Sequence, residues 1–306
     1  MSGPQAPHLP LGVIAWVAVV LIGASWQLAT RWGVTTSLTP ADLALLRYCI
    51  PALVLLPVLF RHGLLPRGVS PVLLACIVIG GGLPFGLLGM AGAAFAPASH
   101  MGALLPGSMP VFVAILCAVL LGERFGPLRL FGLASIVLGV GLVVASGFGA
   151  VDADILIGDM LFLTAGVLWA FYTVAFRKSG LTPWHGAALI CFWSALLAVP
   201  MWLAVKGTAL TTAPITDIAV QILAQGILAG LLGLAAFGVA IRHLGASVSG
   251  VSGAPVPALT AVGGAVLLNE PIDALTGLSI PVIALGIWVY AGVPGASYVQ
   301  RILVRA

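Results

Sequence analysis

Ten apolar blocks take up most of this sequence, at approximately 11–30, 41–60, 71–94, 98–121, 127–146, 159–177, 184–205, 217–241, 245–269 and 272–293. A helix rises about 1.5 Å per residue, so a block of about 20 residues matches a hydrocarbon core about 30 Å thick. Lipid offers the backbone no hydrogen-bond partners, and a helix satisfies its own. Only 7% of the residues are charged and 61% are apolar, whereas an ordinary soluble domain is about a quarter charged. The expected fold is an all-α membrane protein with ten transmembrane helices. The loops between blocks are too short to form a separate soluble domain, so a nucleotide-driven pump would need a second polypeptide.

The sequence has no G-x-x-x-x-G-K-[ST] phosphate loop, no H-E-x-x-H pair and no cysteine cluster with zinc-ligand spacing, so neither a cofactor nor a metal is expected. Cys49, Cys76, Cys117 and Cys191 all lie inside apolar blocks, where cysteine serves as a small hydrophobe. A net charge of +4 would suggest nucleic acid in a soluble protein. Here the basic residues sit at block ends, where they set orientation, and no nucleic-acid partner is expected. The expected partners are the lipid bilayer and a small-molecule substrate; the sequence leaves the oligomeric state open, and a monomer is plausible. Met1 to Pro10 lacks Lys and Arg and the block after it exceeds a signal-peptide core, so the first span is expected to stay uncleaved.

Charge asymmetry orients the chain. With a cytoplasmic N-terminus, the inside segments hold Arg61, Arg67, Arg124, Arg129, Arg177, Lys178, Arg242, Arg301 and Arg305, nine of the twelve basic residues. Arg31 and Lys206 fall outside, and Arg47 lies within the second block. Both termini are therefore expected in the cytoplasm, for a bacterial cell at the cytoplasmic (inner) membrane.

The second half repeats the first. A shift of 147 positions lays Leu121-Gly122-Glu123 on Leu268-Asn269-Glu270, Pro110 on Pro257, Leu138-Gly139-Val140 on Leu285-Gly286-Ile287, Gly86 on Gly233 and Arg31 on Lys178. A shift of 143 pairs Pro57 with Pro200. Because five is odd, two five-helix repeats enter the membrane from opposite sides, which is the inverted-repeat architecture of secondary transporters. The expected organisation is a tail over 1–10, a first repeat over 11–146, a linker over 147–158, a second repeat over 159–293 and a cytoplasmic tail over 294–306.

Several motifs carry a family resemblance. Ile22-Gly23-Ala24-Ser25-Trp26 in the first block has a counterpart in Trp169-Ala170-Phe171-Tyr172 in the sixth. Pro110 precedes an apolar run ending Leu121-Gly122-Glu123, and Pro257 one ending Leu268-Asn269-Glu270. The pattern resembles the drug/metabolite transporter superfamily, specifically its ten-span EamA-type members, over about residues 11–293; Ile22 stands where that family usually carries Trp. The resemblance implies an exporter of small metabolites, amino acids including aromatic ones among them, that works by alternating access. It also implies a cavity built by the first four spans of each half. Two alternatives are a multidrug exporter of amphipathic compounds and a non-transporting receptor or assembly subunit.

Candidate site residues follow from side chains that are costly or unusual within a span. Arg47 lies about two turns inside the second span, where a charge needs water, an acceptor or an anion. Its functional reading is a fork for a carboxylate or phosphate; the structural one is snorkelling or pairing with Asp42. Trp26, Gln27, Trp169, Tyr172 and Thr173 fall near mid-span, away from the interfacial belt, and suit an apolar or aromatic substrate, with lipid-facing filler as the alternative. His100 could exchange protons or cap its helix. Ser108 and Ser252 could bond substrate or their own backbone.

Pro106, Pro110, Pro255 and Pro257 are expected bending points, and Gly82, Gly86, Gly226 and Gly230 form small-residue seams. No Asp or Glu is expected deep in a span, which disfavours a cation-for-proton exchanger. Gly250-Val251-Ser252-Gly253 resembles an intramembrane serine protease motif, but the last histidine, His243, precedes the serine. No enzyme is expected.

Overall fold

The computed structural model describes residues 9–149, 153–205, 207–250 and 253–292, and among these every regular element is helical. In chain order they are α1 (Leu9–Thr36), α2 (Pro40–Val54), α3 (Leu56–His62), α4 (Pro71–Gly81), α5 (Leu83–Phe95), α6 (Ala98–Leu121), α7 (Pro127–Gly149), α8 (Ala153–Ser179) and α9 (Pro183–Ala204). α10 (Ile215–Gln221) then runs through a π-helical segment, Ile222–Gly233, into α11 (Leu234–Gly250), followed by α12 (Val256–Leu267) and α13 (Ala274–Ala291). Each of the ten apolar blocks contains helix. Among the described residues eight helices are long and apolar enough to cross a membrane, and a ninth arises if the bent pair α2–α3 is one span. Val256–Leu267 is a shorter apolar helix. α7 runs on to Gly149 and α8 begins at Ala153, so helix occupies much of the expected 147–158 linker.

Local chemistry sets the helix ends. Thr39 and Asp42 form a capping box on α2, and Ser70, Thr182 and Asp273 accept backbone N–H groups at the starts of α4, α9 and α13. Gly122 closes α6 in the left-handed conformation at φ 65°. The breaks are also accounted for. α2 and α3 meet at 56° around Leu55, next to Pro57. At the α4–α5 break the Tyr48 hydroxyl donates to the Gly82 carbonyl at 2.6 Å, and Ser194 Oγ accepts the Leu83 N–H at 2.9 Å. The Leu83 N–H released by the break is thus satisfied by a buried side chain, and the Gly82 carbonyl, which also accepts the Gly86 N–H at 3.0 Å, gains a second donor. Pro106 and Pro110, in contrast, lie inside the single continuous helix α6.

The two halves exchange equivalent contacts. α7 packs against α13, α8 against α4, α5 and α6, and α1 against the π-helical segment, α11 and α12. A Cβ on Gly139 would meet Ile283 and the Ser279 carbonyl, and a Cβ on Gly286 would meet Ile136 and the Gly132 carbonyl. A shift of 147 converts the first set into the second. Because Gly132 also lies against Tyr290, α7 and α13 run antiparallel while making each other's contacts, the signature of a twofold relation between repeats. The outer surface is apolar: Val119 and its counterpart Val266 are 75% and 71% exposed.

Candidate functional site

A cavity lies between the halves. α1 contributes Ile22, Gly23, Trp26 and Gln27, α2 contributes Arg47, and α6 contributes Leu105, Pro106, Met109, Pro110 and Val113. Trp169 and Thr173 of α8, Phe237 of α11 and Val256 of α12 form the opposing wall. Aromatic rings from both sides of the cavity form a continuous series: Trp26 to Phe85 at 5.9 Å between centroids, Phe85 to Trp169 at 4.7 Å and Trp169 to Phe237 at 5.4 Å. Tilted ring pairs at such spacings give a broad apolar surface of fixed shape.

Arg47 is only 3% exposed, and its guanidinium carbon sits 4.5 Å from the centre of the Trp26 ring. Nε and Nη1 are buried without a hydrogen-bond partner, and among the described residues no carboxylate pairs with it. Asp42 is committed elsewhere: its carboxylate accepts from Trp202 Nε1 at 2.7 Å, from the Ala209 N–H at 3.0 Å and from the Thr39 N–H and hydroxyl. The expected alternative of an Arg47–Asp42 pair is therefore not what forms.

Trp26 is held from behind. Its indole N–H donates to Gln225 Oε1 at 2.8 Å; Gln225 Nε2 in turn donates to Thr30 Oγ1 at 2.9 Å and to Gln221 Oε1 at 3.2 Å. Gln221 Nε2 donates to the Ala29 carbonyl at 2.6 Å. Both glutamines are fully buried. The π-helical segment carries Gln225 and presses against the α2 backbone at Gly230, where a Cβ would meet the Arg47 carbonyl. Sequence reasoning missed both glutamines. Two amides four residues apart inside an apolar block were the available signal.

The ends of the cavity differ. At one, Glu123 and Arg177 stand at the rim, Oε1 to Nη2 at 3.2 Å, with side chains 40% and 37% exposed. At the other, beyond the floor, Arg31 Nε meets Glu270 Oε1 at 2.6 Å. Arg31 Nη1 also donates to the Ala93 carbonyl, and Glu270 Oε2 accepts the Ala98 N–H, both part-buried. These pairs are repeat counterparts, since each joins the Glu ending one half's Leu-x-Glu motif to an Arg in the C-terminal part of the first helix of the other half. The partner of Glu123 is Arg177 rather than Lys178, so the first helix follows a shift of 146 rather than 147.

Of the residues singled out from sequence, the structure brings Trp26, Gln27, Arg47, Trp169 and Thr173 to the cavity. Three others lie off its wall. His100 Nδ1 bonds Asp159 Oδ1 at 2.8 Å, with Ser146 and Thr276 each 3.3 Å from Nε2. Ser108 donates to the Leu104 carbonyl, and Tyr172 packs in the core at 1% exposure. Ser252 lies outside the described residues. Asp42, in the first turn of α2, and Asp159, in the second turn of α8, lie near helix starts, yet both are fully buried, with partners distant in sequence receiving them.

Apolar helices enclosing an internal cavity between two related halves define a multi-pass membrane protein built to carry a solute. The sequence matches the EamA-like transporter family over residues 10–145 and again over 156–292, and the chain belongs to that family of the drug/metabolite transporter superfamily. No curated protein matches it significantly. The fold is shared with solved structures; one, described only as a crystal structure of a protein, superposes with a TM-score of 0.61 at 17% identity, covering 91% of this chain and 96% of its own.

Proposed function

We propose that the protein is a ten-span secondary transporter that exports small metabolites, amino acids among them, across the cytoplasmic membrane by alternating access. The bent pair α2–α3, the broken pair α4–α5 and the composite α10–α11 each count as one crossing, and α12 as another. With both termini cytoplasmic, the two five-helix repeats are inverted. The Glu123–Arg177 rim then faces the cytoplasm beside Arg124 and Arg129, and the Arg31–Glu270 pair closes the outer side.

The observation that carries this reading is the exchange of one ion pair between halves, tight at one end of the cavity and loose at the other. A twofold scaffold that closes one end while leaving the equivalent end open has the asymmetry that alternating access requires. The aromatic wall favours substrates with an apolar body, which also supports the multidrug alternative. The test is side-specific labelling of Met109→Cys, in a background with the four native cysteines replaced by alanine. A membrane-impermeant thiol reagent is expected to reach it from the cytoplasmic side, and from the outer side once Glu270→Gln releases the closed end. Labelling confined to one side under both conditions overturns the reading.

A further inference from the structure

Resting on that transporter reading, we propose that the preferred cargo is an organic anion whose carboxylate is received by Arg47 while its apolar body lies along the aromatic wall. An arginine side chain keeps its proton under all ordinary conditions and offers only donors. Burying such a charge with Nε and Nη1 unsatisfied is costly unless an anion completes the site. The Trp26 face supplies part of the compensation, because its quadrupole attracts a cation 4.5 Å away, but a ring face accepts no in-plane hydrogen bonds. The planar fork is thereby aligned and left short of acceptors.

The surrounding polar groups bring no competing anion. The Thr260 hydroxyl has one hydrogen, shared between the Val256 carbonyl at 2.8 Å and Gln27 Oε1 at 3.1 Å, and Gln27 is a neutral amide with no charge to offer a rival cation. The indole N–H of Trp26 is consumed by Gln225. The one carboxylate on the described wall, Glu123, is at the rim against Arg177. A zwitterion would bring an ammonium group into a chamber with no deep carboxylate to receive it. An anion meets a pre-aligned guanidinium.

Four probes that share a benzyl group separate these demands: phenylacetate, phenylalanine, phenylacetamide and phenethylamine. Labelled phenylacetate is bound to the full-length protein in nanodiscs and competed with the other three. Phenylacetate is expected to bind about tenfold or more tighter than phenylacetamide, the scale of one hydrogen bond to a charged group, with phenethylamine weakest. Arg47→Gln is expected to erase the difference between acid and amide. Arg47→Lys keeps the charge but loses the fork and the stacking, so it should weaken phenylacetate while preserving the order, which guards against a misfolded Gln variant.

Phenylacetate that fails to bind the folded protein, or whose advantage survives Arg47→Gln, overturns the inference. So does phenylalanine outranking phenylacetate, which would return the cargo to zwitterionic amino acids. None of these outcomes affects the two-sided labelling of Met109→Cys, so failure of the anion site and failure of the transporter reading are told apart.

Discussion

Arg31 and Glu270, 239 positions apart in sequence, meet at 2.6 Å with side chains 18% and 15% exposed, and each also binds backbone next to the α5–α6 junction. Arg31 lies one turn beyond Gln27, the last α1 residue on the cavity wall, and Glu270 follows α12. Their contact therefore ties both halves together at one end of the cavity. The same residue types at the other end, Arg177 and Glu123, touch through one longer, more exposed contact. An exposed pair contributes little, about 0–1 kcal/mol, whereas a part-buried one with extra hydrogen bonds has more to lose.

Glu270→Gln is accordingly expected to shift the protein toward a form open at that end, and Glu123→Gln to change little. A differential of about 1.4 kcal/mol alters the ratio of two conformers tenfold. Outer-side labelling of Met109→Cys should rise by about that factor for Glu270→Gln. Equal effects from both substitutions would show that the pairs do not bias the two ends differently.

Close helix contacts predict which glycines tolerate a methyl group. A Cβ on Gly80 would meet the Leu168 carbonyl and come within 2.7 Å of the Tyr172 nitrogen, both rigid backbone of α8, while Gly141 on α7 has nothing within 4 Å. Gly80→Ala is expected to cost about 1–3 kcal/mol through overpacking. Gly141→Ala should be neutral or slightly stabilising, since alanine is the better helix former. Melting temperatures of the two variants in one detergent decide the matter; equal values would mean the α4–α8 contact is looser than its geometry indicates.

Span length and the internal repeat were readable from sequence because both are carried by runs and offsets along the chain. Arg47 stood out for a similar reason: a charge among apolar residues is conspicuous wherever its partners lie. What stayed hidden depends on pairings across the fold. Asp159 looked like an edge residue until His100, on another helix, accounted for its burial. Asp42 found Trp202, 160 positions away. Gln221 and Gln225 stand four residues apart and so share a face, but nothing along the chain shows that Trp26, Ala29 and Thr30 of α1 receive them. The one-residue difference in register that gives Glu123 to Arg177 was beyond the resolution of a shift drawn from matching motifs.

The His100–Asp159 contact joins α6 to α8, and Ser146 of α7 and Thr276 of α13 close around the ring. The side chains are 4% and 0% exposed, and Asp159 Oδ2 has no partner. Removing one member alone leaves the other buried and unmatched, for which a loss of about 3–5 kcal/mol is typical. His100→Leu and Asp159→Leu should therefore each destabilise more than the double substitution does relative to either single one. A melting-temperature cycle in which the two losses simply add would show that the groups are independent.

Gln225 acts on the cavity without lining it. Its Oε1 holds the Trp26 indole, and the ring so fixed is the one over which the Arg47 guanidinium lies. Gln225→Leu keeps similar bulk but leaves the indole N–H and the Thr30 hydroxyl to find other partners, at a cost of about 1–3 kcal/mol for an unsatisfied buried donor. The expected result is a lowered melting temperature together with weaker phenylacetate binding. Gln225→Glu keeps an acceptor for the indole but introduces a carboxylate facing the cation-bearing ring, and should depress phenylacetate binding further through the added negative charge. If Gln225→Leu lowers stability while leaving phenylacetate affinity intact, the ring does not depend on the amide for its orientation, and the pre-alignment of Arg47 comes from the packing of α2 against Gly230 instead.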